Sequence, residues 1–322
     1  MTPFAVHHPY QYFRAGNPND IQTKTRPGFA LMGGGPDLDP AFKYMCERAG
    51  GGDFLVLRAS GDDDYNPYIQ GLCKLNSVAT FILSSREAAN DPFVAHTIRH
   101  AEAIFIAGGD QAHYINWWMD TPVQQALNEA IERGVPVGGT SAGLAVQGEF
   151  VYSAQGDAPD DEDLTSPLTL ADPFHPRVTI VHNFLTNVLL KNVITDTHFA
   201  ARDRMGRTLV FMARILQDGR ASQIRDTALD ERTAVLLDPD GQGTIVGVGQ
   251  AYFLSSTQRP EVCKPGTPLT FRDITAHALH AGEQFNVRHW TTTGGTSYKL
   301  SVERGAIEST QADGGIYVGA MR

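Results

Sequence analysis

Short apolar runs alternate with longer amphipathic stretches from residue 28 onward. The apolar runs lie at 29–32, 54–57, 103–106 and 135–137. Segments with helical periodicity lie between them, at about 39–49, 66–75, 88–100 and 122–133. Strands that alternate with helices predict a parallel sheet with helices on both faces, and continuous apolar strands indicate burial on both sides. Such sheets bind ligands beyond the C-terminal ends of their strands, where this chain has glycine-rich turns.

The pattern changes in the second half of the chain. A helix with one buried face is predicted by the spacing of Met205, Leu209, Met212 and Leu216. From about residue 232 the apolar runs become strand-like, and residues 268–310 indicate further strands with polar turns. We expect an N-terminal extension over 1–27 and one α/β domain over 28–322, β-rich from about 232. The Asp- and Pro-rich segment 152–177 is predicted to be an exposed excursion whose charges are mostly solvated.

Composition and charge exclude several classes of function. The net charge is −10, so a general nucleic-acid-binding protein, which needs a basic footprint, is not expected. No apolar run reaches the ~18 residues of a membrane helix. Residues 1–26 contain no apolar core of a signal peptide, so we expect a cytoplasmic protein, or a secreted or periplasmic one if a signal has been removed. Cys46, Cys73 and Cys263 lie far apart and are interpreted as structural thiols.

The strongest chemical signal follows the apolar run at 135–137. It is the pentapeptide Gly139-Thr140-Ser141-Ala142-Gly143, a Gly-x-Ser-x-Gly nucleophile elbow. Its glycines permit a turn that exposes Ser141 at the sheet edge, with the Ala142 amide directed at a developing oxyanion. The alternative is a structural serine in a tight turn.

A serine nucleophile needs a base, and His198 is the best candidate. It ends an apolar approach and is followed by Arg202, Arg204 and Arg207, whose positive charges favour a neutral imidazole. The alternative for these arginines is a solvated helix face. Two histidine pairs have i,i+4 or i,i+3 spacing but lack a third metal ligand nearby, namely His96 with His100 and His277 with His280.

A second glycine turn, at 108–111, follows the run at 103–106. Its glycines allow a backbone N–H to approach a ligand, so Gly109 or Asp110 would supply the second oxyanion donor and Gln111 would contact substrate. Asp110 is equally suited to cap a helix, and the two roles are compatible.

Together these motifs resemble the cyanophycinase and dipeptidase E family of serine peptidases. The resemblance runs in order from about residue 28 to 248 and rests on residues 105–111, 139–143, 196–199 with the three arginines, and 230–234. It implies a three-layer α/β/α fold like that of class I glutamine amidotransferases, flavodoxin-like with a mostly parallel sheet. It also implies a homodimer and no metal or cofactor.

The resemblance assigns site residues as well. It makes Ser141 the nucleophile and His198 the base, and it lines the substrate pocket with Gln111, Asp196, Thr197, Arg202, Arg204 and Arg207. Where cyanophycinases carry glutamine, this chain has Thr197, which leaves the substrate open between cyanophycin and other aspartyl peptides. For the acid of the triad, the family takes a residue soon after the serine. Asp157 suits that position best, with Asp160 and Glu162 as alternatives.

The sequence therefore predicts a serine exopeptidase that hydrolyses aspartyl or β-aspartyl peptide bonds through an acyl-enzyme. Its substrate would be a peptide such as cyanophycin or a β-aspartyl dipeptide. One alternative is an α-aspartyl dipeptidase, and another is a non-catalytic protein that binds an acidic ligand on the same scaffold. An amidotransferase is not expected, because the nucleophile is not cysteine.

Overall fold

The computed structural model describes residues 8–158 and 162–319. Its strands, in chain order, are β1 (Gln11–Gly16), β2 (Phe29–Met32), β3 (Asp53–Arg58), β4 (Ser77–Ile82), β5 (Ala103–Ile106), β6 (Val137–Thr140), β7 (Phe150–Tyr152), β8 (Ile180–His182), β9 (Val193–Asp196), β10 (Ile224–Leu229), β11 (Thr233–Leu237), β12 (Gln242–Gly247), β13 (Ala251–Ser256), β14 (Val262–Lys264), β15 (Thr267–Leu279), β16 (Gln284–Asn286), β17 (Thr291–Thr293), β18 (Thr296–Glu303) and β19 (Ala306–Ser309). Its helices are α1 (Asp39–Arg48), α2 (Tyr65–Leu72), α3 (Arg86–Ala89), α4 (Pro92–His100), α5 (Gln111–Trp118), α6 (Pro122–Glu132), α7 (Ala142–Ala145), α8 (Ser166–Ala171) and α9 (Met205–Gln217), with a 3₁₀ turn at Val188–Leu190.

The first sheet has a parallel centre. Its strand order is β1-β4-β3-β5-β6-β2-β11-β12-β16-β17, and the segment β4-β3-β5-β6-β2 is parallel. This centre confirms the parallel strands expected from the alternation of apolar runs and helices. The flanking strands pair antiparallel, so the sheet is mixed and the prediction of a mostly parallel sheet is wrong. The reason is that β11 and β12 are joined by a short turn, which permits only antiparallel pairing.

A second sheet is built largely from the C-terminal half. Its order is β19-β18-β15-β13-β10-β9-β7-β8, with β14 paired to β15. Strands β7, β9 and β10 are parallel neighbours, and most of the others pair antiparallel. Strands after residue 232 extend both sheets, which confirms the β-rich C-terminal part.

Residues of the parallel strands alternate between two apolar cores. On β2, Ala30 and Met32 belong to a core with Phe42 of α1, whereas Leu31 belongs to a core with Trp118 of α5. This alternation explains the continuous apolar runs, because both faces of the strands are buried. A third core joins the second sheet to α9, whose predicted apolar face is fully buried at Met205, Leu209, Met212 and Leu216.

Two predicted segments need correction. The helix expected over 88–100 is split into α3 and α4, because Asp91 caps α4 by accepting a hydrogen bond from the Phe93 N–H (2.8 Å) and Pro92 cannot continue a preceding helix. The exposed excursion over 152–177 is largely ordered: β7 ends at Tyr152, α8 packs against α9, and Leu164 and Ser166 are buried.

The cysteines also differ from expectation. Cys46 near the end of α1 and Cys73 just after α2 form a disulfide, so neither is the thiol that the sequence predicted. Cys263 is a free, buried thiol. Their separation of 27 residues left the pairing unmarked in the sequence, and only the contact between α1 and α2 brings the two sulfurs together.

We expect this disulfide to stabilise the fold by restricting the unfolded chain. For a loop of this length, the double variant Cys46→Ser/Cys73→Ser should lose about 3–4 kcal/mol of unfolding free energy. Urea unfolding with and without reductant measures the loss, and reduced wild type should match the double variant. Thiol titration of the unfolded, unreduced protein should find Cys263 alone, and three reactive thiols would contradict the disulfide.

Candidate active site

Ser141 lies in a strained turn between β6 and α7. Its φ is 52°, a left-handed conformation that few non-glycine residues adopt, as expected for a nucleophile elbow. The amides of Leu144 and Ala145 donate to the Ser141 carbonyl at 2.9 Å each and start the short helix. The Ser141 hydroxyl lies next to His198.

The glycines of the elbow are required by close backbone contacts. A Cβ atom at Gly143 would lie 1.9 Å from the carbonyl oxygen of Ile106, and one at Gly139 would lie 2.4 Å from the carbonyl oxygen of Gly143. No side chain can be accommodated at either position. The pattern Gly-x-Ser-x-Gly therefore follows from steric need around Ser141.

His198 lies directly opposite the serine. It follows β9, and its own amide donates to the Gly33 carbonyl oxygen (2.8 Å), which ties this turn to the end of β2. The Ser141 Oγ and the His198 Nε2 are 2.8 Å apart. Gly34 contacts the imidazole so closely that a Cβ there would lie 2.4 Å from Nε2. The structure thus brings together the serine and the histidine that the sequence singled out.

Glu231 completes the hydrogen-bonded chain on the far side of the imidazole. Its Oε1 lies 2.6 Å from the His198 Nδ1, in the turn between β10 and β11. A carboxylate can only accept, so Nδ1 carries the proton and Nε2 is free to accept from the Ser141 hydroxyl. The neighbouring Asp230 holds the turn in place by accepting from the amides of Ala200 and Gln250, both at 2.9 Å.

The turn after β5 faces the same serine. Gly109 has a φ of 153°, and the Tyr114 hydroxyl donates to the carbonyl oxygen of Ala107 (2.8 Å), which fixes the backbone leading into the turn. Asp110 caps α5 by accepting from the Ala112 amide (2.8 Å), so the capping alternative for this residue is confirmed. A capping side chain leaves the backbone amides of Gly109 and Asp110 available to a ligand.

A cavity of about 480 Å³ opens beside Ser141. The predicted site residues that line it, besides the serine, are Gly109, Asp110, Gln111, Ala142, Asp157, Glu162, Thr197, Arg202 and Arg204. Asp196 and Arg207 lie behind this wall, 3% and 2% exposed, so the structure does not bring them into the cavity lining as the sequence predicted.

The buried pair behind the wall supports the arginine that reaches the cavity. The Arg207 Nε donates to the Asp196 Oδ2 at 2.9 Å, and its Nη2 donates to Oδ1. Burial opposes the ionisation of Asp196, but the charge and hydrogen bonds of Arg207 outweigh it and hold the pKa of this carboxyl below its usual value. Arg204, the residue before α9, is therefore positioned by a fixed ion pair and is not part of a solvated helix face.

A model of peptidase family S51 matches residues 38–175, which include the elbow. The match supports the resemblance to this family of peptidases that the motifs indicated.

The curated relatives of this chain are distant. The cyanophycinase of Trichormus variabilis is 25% identical over 210 residues, which cover 64% of this chain and 63% of the relative. The cyanophycinase of Synechococcus elongatus is 24% identical over 262 residues, covering 76% and 73% of the two chains. The chain thus spans slightly less than two thirds of the length of the first of these relatives. The crystal structure of a peptidase from an acI-B1 actinobacterium has a TM-score of 0.51 at 18% identity, covers 82% of this chain and 98% of that one, and shows the same fold.

The acid beside His198 is the main point at which the structure departs from the sequence prediction. Asp157 does not contact His198: it forms an ion pair with the Arg177 Nε (2.6 Å) and accepts from the Tyr152 hydroxyl (3.0 Å). Glu162 lines the cavity on the same side, and Asp160 lies outside the described residues. Segment 230–234 is part of the family resemblance, so the sequence did mark the region that contains Glu231. It did not show that Glu231 contacts His198, because the two residues are 33 positions apart.

The surroundings of His198 lower the pKa of its imidazole. Burial disfavours the charged form most, the hydrogen bond to Glu231 opposes that effect, and the positive charges of Arg202 and Arg204 add to the lowering. The pKa of His198 therefore lies below its ordinary 6.5, and the imidazole is neutral at neutral pH, as a general base must be.

This lowered pKa predicts the acid limb of the pH profile. Activity that needs a neutral His198 is fully present above its pKa and is lost as the pH falls through it, so kcat/KM should decline only below pH 6.5. Arg202→Gln removes a positive charge near the imidazole and should move the limb to higher pH. Profiles of kcat/KM for both proteins measure this, and a wild-type limb above pH 6.5 would contradict the environment described.

Within residues 8–158 and 162–319, no group of three or more His, Cys, Asp or Glu side chains is arranged to hold a metal ion. Nor does this part of the chain contain a helix with the length and apolarity to cross a membrane.

Proposed function

We propose that this protein is a serine exopeptidase that hydrolyses aspartyl or β-aspartyl peptide bonds, and its similarity to proteins named cyanophycinase supports a peptide substrate. The observation that carries the proposal is the hydrogen-bonded series from Ser141 through His198 to Glu231, which opens onto a cavity with two arginines in its wall. A nucleophile, a base and an orienting carboxylate in this order are the elements of acyl transfer. We also infer for the fold the three-layer arrangement of class I amidotransferases.

In the proposed mechanism, His198 accepts the Ser141 proton at Nε2 while Oγ attacks the substrate carbonyl. Glu231 stabilises the imidazolium that forms and keeps the proton on Nδ1. The amides of Ala142 and of Gly109 or Asp110 donate to the tetrahedral oxyanion, and loss of one such donor typically costs about 2.7–4 kcal/mol of transition-state stabilisation. His198 then protonates the leaving amine. Water, activated by the same imidazole, hydrolyses the acyl-enzyme.

The chemistry of the cavity supports an acidic residue at the cleaved bond. Arg204 and Arg202 present guanidinium groups on the wall that also carries Thr197, and guanidinium groups pair with carboxylates in a planar, two-point geometry. Thr197 is not a free recognition group, because its carbonyl and hydroxyl oxygens accept from the Arg204 Nη1 at 2.9 and 3.0 Å. This threonine therefore orients the arginine and leaves space in the cavity for the substrate.

A substrate panel tests the proposal. Purified protein is incubated with cyanophycin, β-Asp-Arg, β-aspartyl dipeptides and α-aspartyl dipeptides, with uncharged dipeptides of equal length as controls, and the products are identified by mass. Cleavage of cyanophycin or of β-aspartyl dipeptides, with the uncharged dipeptides left intact, supports the assignment. Cleavage of α-aspartyl dipeptides alone would make the protein an α-aspartyl dipeptidase. No hydrolysis of any peptide would overturn the proposal and favour a binding protein for acidic ligands.

A further inference from the structure

The arginine that faces the cavity is already occupied by a carboxylate of this chain. The Arg204 Nη2 donates to both oxygens of Asp163, at 2.8 and 2.6 Å. Asp163 also lies 3.4 Å from the Arg202 Nη1. Asp163 belongs to the acidic segment 152–177, whose charges the sequence predicted to be mostly solvated. Its ion pair with Arg204 joins residues that are 41 positions apart, so local sequence patterns do not predict it.

The other nitrogen atoms of Arg204 are not available to a ligand. Its Nη1 donates to Thr197, and its Nε is buried without a hydrogen-bond partner in the described chain. The guanidinium therefore has one face open to carboxylates, at Nη2, and Asp163 covers it. A substrate carboxylate that pairs with Arg204 has to compete for the same nitrogen.

Asp163 differs in one respect from the other carboxylate of the cluster. The Asp196 side chain is 4% exposed and is locked by Arg207 and by the Thr208 hydroxyl (2.8 Å), whereas the Asp163 side chain is 43% exposed. Among the described residues, the hydrogen bonds of the Asp163 carboxylate go to Arg202 and Arg204, and its Oδ1 lies 3.8 Å from the Arg207 Nη1. Of these two carboxylates, Asp163 is therefore the one with access to water.

We propose that Asp163 is a specificity-determining residue that occupies Arg204 in place of the substrate carboxylate and is displaced when substrate binds. The inference rests on the proposed function in taking an aspartyl carboxylate as the ligand of this cavity. Exchange of one carboxylate for another keeps the Arg204 Nη2 hydrogen-bonded, and a buried donor left without a partner would be costly. The competition also disfavours ligands without a carboxylate, because they would displace Asp163 with no ion pair in return.

A binding measurement that needs no turnover tests this inference. Succinate is titrated by calorimetry into the Ser141→Ala protein, with and without Asp163→Asn. We expect Asp163→Asn to lower the succinate Kd about tenfold, because the internal competitor has lost its charge. The matched control is Glu162→Gln, which removes the same charge from an exposed residue lining the same cavity and should change the Kd less than about twofold.

Several outcomes would overturn the inference. A Kd that stays equal or rises in Asp163→Asn would make Asp163 a structural partner of Arg204, and so would an equal fall in Glu162→Gln. If no variant binds succinate, the inference that this cavity binds a carboxylate is wrong. If Asp163→Asn does not fold, Asp163→Glu decides, since the longer side chain keeps the charge but disturbs the two-point pairing and should still tighten succinate binding.

Failure of the inference and failure of the proposed function are separable. If the Kd changes as expected but no peptide is hydrolysed, the cavity binds carboxylates and the proposed peptidase activity is wrong. Hydrolysis of aspartyl peptides by Asp163→Asn with kcat unchanged and a lowered KM supports both. Hydrolysis with an unchanged or raised KM would remove only the role of Asp163.

Discussion

Ser141→Ala should abolish peptide hydrolysis, with a loss in kcat on the order of 10⁴–10⁶-fold. Alanine retains the backbone turn and the space around it, but it removes the Oγ that lies 2.8 Å from the His198 Nε2. No other hydroxyl in the described cavity wall lies within hydrogen-bonding distance of that nitrogen. The measurement is steady-state turnover of whichever aspartyl peptide the wild type cleaves, together with covalent labelling by a fluorophosphonate.

A second serine provides the matched control. Ser60 follows β3 at the same edge of the sheet and is exposed, so Ser60→Ala should retain wild-type turnover and labelling. Wild type and Ser60→Ala should each take up one label per chain, at Ser141, and Ser141→Ala should take up none. Turnover by Ser141→Ala within tenfold of wild type would remove Ser141 as the nucleophile.

The second large effect concerns the acid beside His198. Glu231→Gln should lower kcat by about 10²–10⁴-fold, because glutamine no longer stabilises the imidazolium or fixes the proton on Nδ1. Loss of the Glu231 charge also removes the effect that raises the pKa of His198, so the acid limb of the pH profile should move to lower pH. Turnover across pH 4–8 measures both changes.

Asp157→Asn is the comparison for this prediction. It removes a carboxylate that the sequence favoured for the triad but that pairs with Arg177 in the structure. We expect its kcat to fall less than about tenfold and its acid limb to stay in place, since partly exposed ion pairs contribute little. A larger loss in Asp157→Asn than in Glu231→Gln would show that Asp157 reaches His198 during catalysis.

The local sequence determined those features that depend on neighbours along the chain. The parallel centre was predictable because each strand is a continuous apolar run, which is what burial on two faces requires. The turn at Ser141 was predictable because the pattern Gly-x-Ser-x-Gly follows an apolar run. The structure shows why glycine is needed at positions 139 and 143, since a Cβ atom at either would meet the backbone. The buried face of α9 followed from its helical spacing.

The tertiary structure alone decided which charged groups meet. Glu231 is 33 residues from His198, and Asp163 is 41 residues from Arg204, so no local pattern distinguishes either carboxylate from Asp157. Glu231 is selected because β9 and β10 are parallel neighbours and end at the same edge, which brings the two turns together. The sequence by itself therefore predicted the serine and its turn. The carboxylate beside His198 and the carboxylate beside Arg204 depend on the tertiary structure, because charges interact through space and leave no periodic pattern along the chain.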